Sequence, residues 1–92
     1  MKIGLIVNTD KSQAEICGAQ IAQLLLQNGA QISLNNSLKE ITLQTEYNDN
    51  IAYYDTDEAV ISHSDMAITV GGDGTIIHNA KYAAQYAKPL IG

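Results

Sequence analysis

Asp65-Met66-Ala67-Ile68-Thr69-Val70-Gly71-Gly72-Asp73-Gly74-Thr75 is the stretch on which the reading of this chain turns. Met66 to Val70 is a short, largely apolar run of strand length, suited to burial on both faces of a parallel sheet. Three glycines in the next four positions let the backbone take positive φ and let a ligand come close without meeting a Cβ. Beyond them, from Ile76 to Tyr86, the spacing of Ile77, Ala80, Ala84 and Ala87 predicts a long helix that begins at the loop. A strand that runs through glycines into a helix is the basic unit of an α/β fold.

Working outward, Lys2-Ile3-Gly4-Leu5-Ile6-Val7 reads as a first buried strand. Ser12-Gln13-Ala14-Glu15 has capping-box spacing, and Ala14, Cys17, Ile21 and Leu24 recur at steps of three and four until Asn28-Gly29 supplies a stop. Gly18 within this helix costs about 1 kcal/mol relative to alanine, which points to close helix packing. Ala30 to Leu34 is a second strand, so the first three elements form a parallel βαβ unit. From Asn35 to Asp55 the pattern weakens into a connection anchored by Ile41, Leu43 and Tyr53-Tyr54, although Leu38 and Ile41 also fit the start of a short helix. Thr56 caps one or two helical turns over Asp57 to Ile61, with acids in the first turn. Lys88-Pro89 ends the long helix, because proline biases the residue before it away from the α region. Leu90-Ile91 opens a further strand, and Gly92 follows at once. The expectation is an α/β domain over residues 1–92, a Rossmann-like parallel sheet flanked by helices and incomplete at its C-terminus.

Bulk properties bound the function. With 92 residues there is room for one domain or part of one. The chain is 46% hydrophobic and 16% charged, enough apolar side chain for a core and too little charge for a disordered tail. Its net charge is −5, with five lysines and no arginine, whereas a protein held by nucleic-acid phosphates needs clustered cations. The five tyrosines lack interleaved cations, which also argues against base stacking on nucleic acid. No apolar run approaches the roughly 20 residues that span a bilayer. The single Cys17 and the lack of a secretory pattern at the start suggest the cytoplasm.

The chemistry sits where strand meets helix. The helix after the glycines aims its free N–H groups and the positive end of its dipole at the loop, a cradle for a nucleotide. In open parallel sheets ligands bind beyond the carboxyl ends of the strands, where this loop must lie. It is not a Walker A loop, since no lysine lies between Lys39 and Lys81, nor the dinucleotide fingerprint, since Ile77 stands where the third glycine belongs. Its distinguishing residue is Asp73. A carboxylate there repels a phosphate but can hydrogen-bond a sugar hydroxyl and take its proton, which suggests phosphate transfer onto that hydroxyl.

Gly71-Gly72-Asp73-Gly74-Thr75, preceded by Asp65-Met66-Ala67-Ile68-Thr69-Val70 and followed by Ile76-Ile77-His78-Asn79-Ala80-Lys81 and Pro89-Leu90-Ile91-Gly92, closely resembles NAD kinases. The likeness covers the first strand, the long helix and nearly everything from Asp65 onward, and is weak between Asn35 and Asp55. It implies transfer of a terminal phosphate from ATP or polyphosphate, with a divalent metal (Mg or Mn), to the 2′-hydroxyl of the adenosine ribose of NAD, giving NADP. The family's proton acceptor falls on Asp73, and its nucleotide contacts fall on Gly74 and on His78, where many members carry arginine. Diacylglycerol and sphingosine kinases share the five residues and phosphofructokinases a close variant. The Tyr82-Ala83-Ala84 helix leading to Lys88-Pro89-Leu90-Ile91-Gly92 matches NAD kinases, whereas lipid kinases tend to continue with a Leu-Asn-Glu run. A non-catalytic nucleotide-binding module is the reading from a different class.

The resulting site comprises Gly71, Gly72, Asp73, Gly74, Thr75, His78 and Asn8, with Asp73 catalytic and no protein metal site. Each has a plain structural alternative: Asp73-Gly74 a turn, Thr75 a helix cap, His78 an exposed helix residue. Asn8, Thr9 and Asp10, at the end of the first strand, are either contacts on the ATP side or loop and capping residues. His63 and Asp65 precede a five-residue strand and so lie about 16 Å from the loop, in structural or solvated roles. Cys17 is expected in the core. Family members continue into a second acidic motif and a β-rich domain, so these 92 residues alone are expected to be inactive, and the open strand at Leu90-Ile91 favours a homo-oligomer.

Overall fold

The computed structural model describes residues 1–8, 10, 12–39 and 48–92, with the backbone alone for Ser12, Asn48 and Asp73. Its centre is a five-stranded, all-parallel sheet. The strands are β1 (Lys2–Val7), β2 (Gln31–Asn35), β3 (Ile51–Tyr54), β4 (Met66–Val70) and β5 (Leu90–Ile91), in the spatial order β3-β2-β1-β4-β5. Helices α1 (Ser12–Gln27), α2 (Asp57–Ser62) and α3 (Asp73–Gln85) cover it.

The first strand in sequence is the middle strand in space. β1 pairs with β2 from Lys2↔Gln31 to Leu5↔Leu34 and with β4 from Ile3↔Met66 to Val7↔Val70. Alternate residues of β1 therefore enter two separate cores. Leu5 joins Ala22 and Leu26 of α1 with Ile32, Leu34 and Leu38, while Ile6 joins Val60 and Ile61 of α2 with Ala67. Helix α1 lies on one face and α2 on the other, so both faces of β1 are dry and its sequence is a continuous apolar run.

The face that α1 turns inward differs from the expected one. Ala14, Gly18, Ala22 and Leu26, four residues apart, are buried, and Ile21 is half-buried against the same core. Cys17 and Leu24 point outward, so Cys17 is not a core residue. The physical reason is proximity: a Cβ on Gly18 would lie 2.8 Å from Cγ2 of Val7, so the helix sits too close to β1 for larger side chains along that line. Its C-terminus is stopped as expected by Gly29 at φ 85°, with Gly29 N–H donating to Leu26 O and Ala30 N–H to Leu25 O. This is the Schellman arrangement that favours glycine.

The same shift of face occurs in α3. Asn79 and Ala83 are buried with Ile76, Tyr82 and Tyr86 half-buried, while Ile77, Ala80, Ala84 and Ala87 are exposed. The helix ends before Lys88-Pro89, by a second Schellman arrangement in which Ala87 takes φ 54° and Lys88 N–H donates to Ala83 O at 2.9 Å. Tyr86 donates to Glu58 Oε2 at 2.6 Å, fastening α3 to α2. That bond to a carboxylate, aided by burial and by the charge of Glu58, holds the phenol above its ordinary pKa.

Within the weakly patterned connection, Ile51–Tyr54 is a strand pairing with β2, and Asn36–Leu38 forms a single 3₁₀ turn whose last residue, Leu38, is buried. Ile41 and Leu43 lie outside the described residues. Helix α2 is capped as expected, with Thr56 Oγ1 accepting from Ala59 N–H at 3.1 Å.

Candidate functional site

β1 and β4 are neighbours whose helices leave on opposite faces, so the chain diverges at their carboxyl ends. That divergence is the switch point at which open α/β sheets hold ligands. Asn8 N–H donates to Val70 O at 2.8 Å, carrying the ladder one step past β1. Past Val70 only glycine fits: a Cβ on Gly71 would lie 2.5 Å from Asn8 Cβ and 2.8 Å from Thr75 Oγ1. Gly72 follows at φ 143°, ψ −172°, a region essentially reserved for glycine, and forms the N-cap of α3 with no side-chain capping bond. Its carbonyl accepts from Thr75 N–H at 3.1 Å and Ile76 N–H at 3.3 Å. Asp73 and Gly74 are then the first two residues of the helix, where amides have no carbonyl one turn earlier to bond.

A cleft of about 460 Å³ opens here, within the size range of small-ligand sites. Of the residues expected from sequence, it brings together Asn8, Gly71, Gly72, Gly74, Thr75 and His78. The position of Asp73 in the chain lies between two of them. Thr75 is not the helix cap, a place that Gly72 takes; it is the third residue of α3 and a wall residue of the cleft. Asn8 has the loop role considered for it, its Oδ1 accepting from Asp10 N–H at 3.0 Å, and it is also a wall residue of the cleft. His78 lies on the exposed side, its ring edge-on to Tyr82 with centroids 6.4 Å apart.

Two polar wall residues escaped the sequence reading. Asp57, the first residue of α2, lines the cleft and accepts from Asn35 Nδ2 at 2.9 Å. Asn79 is 1% exposed, and its Nδ2 donates to Thr75 O at 2.9 Å. The first acid of the short helix was visible as a first-turn acid but not as a neighbour of the glycine loop. Asn79 was not among the positions whose spacing predicted the helix.

His63 and Asp65 take the structural roles expected of them. The His63 ring stacks on Tyr54 with centroids 4.6 Å apart, and Asp65 Oδ2 accepts from Lys2 N–H at 2.8 Å. Neither lines the cleft. Among the described residues, no three acids, histidines or cysteines come together around a metal, and no helix is long and apolar enough to cross a membrane.

An all-parallel sheet in this order, with a glycine loop opening a helix at its switch point, defines an open α/β lobe with its cleft where such folds hold ligands. Residues 3–92 match the family model described as the ATP-NAD kinase N-terminal domain. The chain belongs to the NAD kinase family. It is 30% identical over 93 residues to a NAD kinase of Methanothermobacter thermautotrophicus, covering 100% of this chain and 30% of that protein. It is 35% identical over 75 residues to one from Methylibium petroleiphilum, covering 80% and 23% respectively. With the NAD kinase of Chlorobium phaeobacteroides the identity is 30% over 92 residues, covering 100% of this chain and 29% of that one. The matched stretches thus span 23–30% of the length of these relatives. No solved structure matches it.

Proposed function

We propose that the full-length protein phosphorylates the 2′-hydroxyl of the adenosine ribose of NAD, giving NADP, with ATP or polyphosphate as donor. The observation that carries this reading is the contrast between two glycines of one loop. Gly71 is required by the protein itself, because Asn8 and Thr75 occupy the space of a Cβ, whereas a Cβ on Gly74 would meet no protein atom within 4 Å. A glycine that the fold does not require, placed on a cleft wall at the start of a helix, leaves room for a ligand.

In this reading Asp73 receives the hydroxyl proton and orients the oxygen for attack. The transition state of phosphoryl transfer is loose and demands little of the base, so orientation is the larger contribution. Gly72, Gly74, Thr75, His78 and Asn8 line the nucleotide. The described wall carries Asp10 and Asp57 but no lysine or arginine, so phosphate charge falls to the helix amides and to a divalent cation. Magnesium or manganese bound to donor phosphates needs only one or two protein carboxylates, which Asp10 and Asp57 can supply, and it would neutralise charge on the transferring group. The protein is further proposed to work in the cytoplasm as a homo-oligomer, without nucleic acid or membrane partners, and the 92-residue lobe alone to lack turnover.

The test is NADP formation by the full-length protein with ATP and with polyphosphate, wild type against Asp73→Asn. The expected result is NADP from wild type and a fall in kcat of about 10²–10⁴ in the variant, with KM for NAD nearly unchanged. Equal rates would remove Asp73 from the mechanism. A folded wild type that makes no NADP but phosphorylates diacylglycerol or sphingosine would replace the substrate.

A further inference from the structure

Asn79, a residue of the cleft wall, holds a buried and unmatched hydrogen-bonding atom. It lies on the inward side of α3, 1% exposed, and is part of the cleft wall. The carbonyl of Thr75, 2.9 Å away, has lone pairs and no hydrogen, so the amide must turn its Nδ2 toward it. This fixes the side chain: Oδ1 points away from Thr75, and no donor among the described residues reaches it. A buried acceptor without a donor destabilises the fold that contains it, and folded proteins leave few of them. Near a binding cleft, the ligand is a natural source of the donor.

The chemistry of Oδ1 also selects which part of a nucleotide it meets. An amide oxygen only accepts, and ionised phosphate oxygens also only accept, so a phosphate beside Asn79 is disfavoured. Sugar hydroxyls and base amines donate. Phosphates instead suit the amides at the start of α3, at Asp73 and Gly74. Asn79 lies five residues beyond Gly74, about 7–8 Å along the helix axis, a separation comparable to that between the phosphate and the sugar or base of one nucleotide.

We propose that Asn79 is a ligand contact whose Oδ1 accepts from a hydroxyl or amine of the nucleoside half of the bound nucleotide. The nucleotide then lies with its phosphates at the glycine loop and its nucleoside toward the second turn of α3. This rests on the nucleotide reading above and adds to it a residue and an orientation.

Binding of NAD, ATP and inorganic tripolyphosphate to the full-length protein by titration calorimetry tests it, with wild type, Asn79→Leu and Asn79→Ala. Leucine is close in size without polar atoms, and alanine is the residue best tolerated in a helix, so one of the two provides a folded variant. The expected result is a loss of about tenfold in affinity for the nucleotide bound by wild type and a change under twofold for tripolyphosphate. Ligand-free Asn79→Leu should melt no lower than wild type, because the unmatched oxygen is gone. Unchanged nucleotide affinity in a folded variant, or equal weakening of nucleotide and tripolyphosphate, would overturn the contact and leave Asn79 as a brace on Thr75. A wild type that binds neither NAD nor ATP would overturn the nucleotide reading itself, and this inference with it. Binding of ATP but not NAD, with the Asn79 effect intact, would retain the contact and remove only NAD as substrate.

Discussion

Helices α1 and α3 each leave a central strand and return the chain to the sheet, yet their inward faces differ in kind. On α1 the buried line is Ala14, Gly18, Ala22 and Leu26, without a polar atom beyond the backbone. On α3 it is Asn79 and Ala83, joined by half-buried Ile76, Tyr82 and Tyr86, so hydrogen-bonding groups recur along its length. Close packing is sufficient to explain the first face. The second keeps polar capacity where apolar side chains would bury more favourably, which is the usual mark of a surface with a partner to meet.

That division can be broken at three points. Leu26→Ala removes a side chain that is 1% exposed in the core beneath α1 and should cost about 2–5 kcal/mol, read as a shift of the urea midpoint. Nucleotide affinity of the folded fraction should stay within twofold, and a large rise in KM would show that α1 supports the cleft after all. Gly74→Ala should act with the opposite sign on stability. Gly74 is helical and not among the positive-φ glycines, so alanine should stabilise by about 0.4–1 kcal/mol while its Cβ enters the cleft and weakens nucleotide binding tenfold or more. Undiminished binding would return Gly74 to a purely structural role. The smallest effect is expected at the far end of α3. Ala87→Gly relieves a left-handed residue and, after the entropy of the unfolded glycine is counted, should raise stability by about 0.5 kcal/mol, measured as Tm, with no effect on binding. A fall in Tm would mean that the Ala87 methyl makes a contact worth more than the strain.

The elements legible in the sequence were those with strong local signals. β1 and β4 are apolar runs buried on both faces, α2 has its threonine cap, and α1 has its glycine stop. β3 lacked such a signal because it is an edge strand, half-buried at all four residues and paired with β2 alone, so neither alternation nor a dry run marks it. Both long helices were recognised, α3 with the wrong inward face and α1 with Ala14 and Ile21 right but Cys17 and Leu24 wrong. Hydropathy favours Leu24 and Ile77, which are 60% and 73% exposed, over the glycine and alanines that fit close to the sheet. The glycine loop and Asn8 were readable as neighbours because strand ends fix them. Asp57 and Asn79 were not, since the first depends on α2 lying across the sheet from α1 and the second on the true face of α3.

The place of β1 in the sheet also bears on how the chain is made. Its pairing partners lie 29 residues downstream (Lys2 to Gln31) and 63 residues downstream (Ile3 to Met66). At about 5–20 residues synthesised per second, the second edge of β1 waits roughly 3–13 s for β4 to be made. During that interval the central strand of the sheet has an unpaired edge, a template for contact with other nascent chains. Contacts of such long sequence separation also slow folding, because loop closure must precede the pairing that rewards it. The same central position that puts Asn8 at the cleft makes the fold wait for a strand that starts 63 residues downstream of its partner.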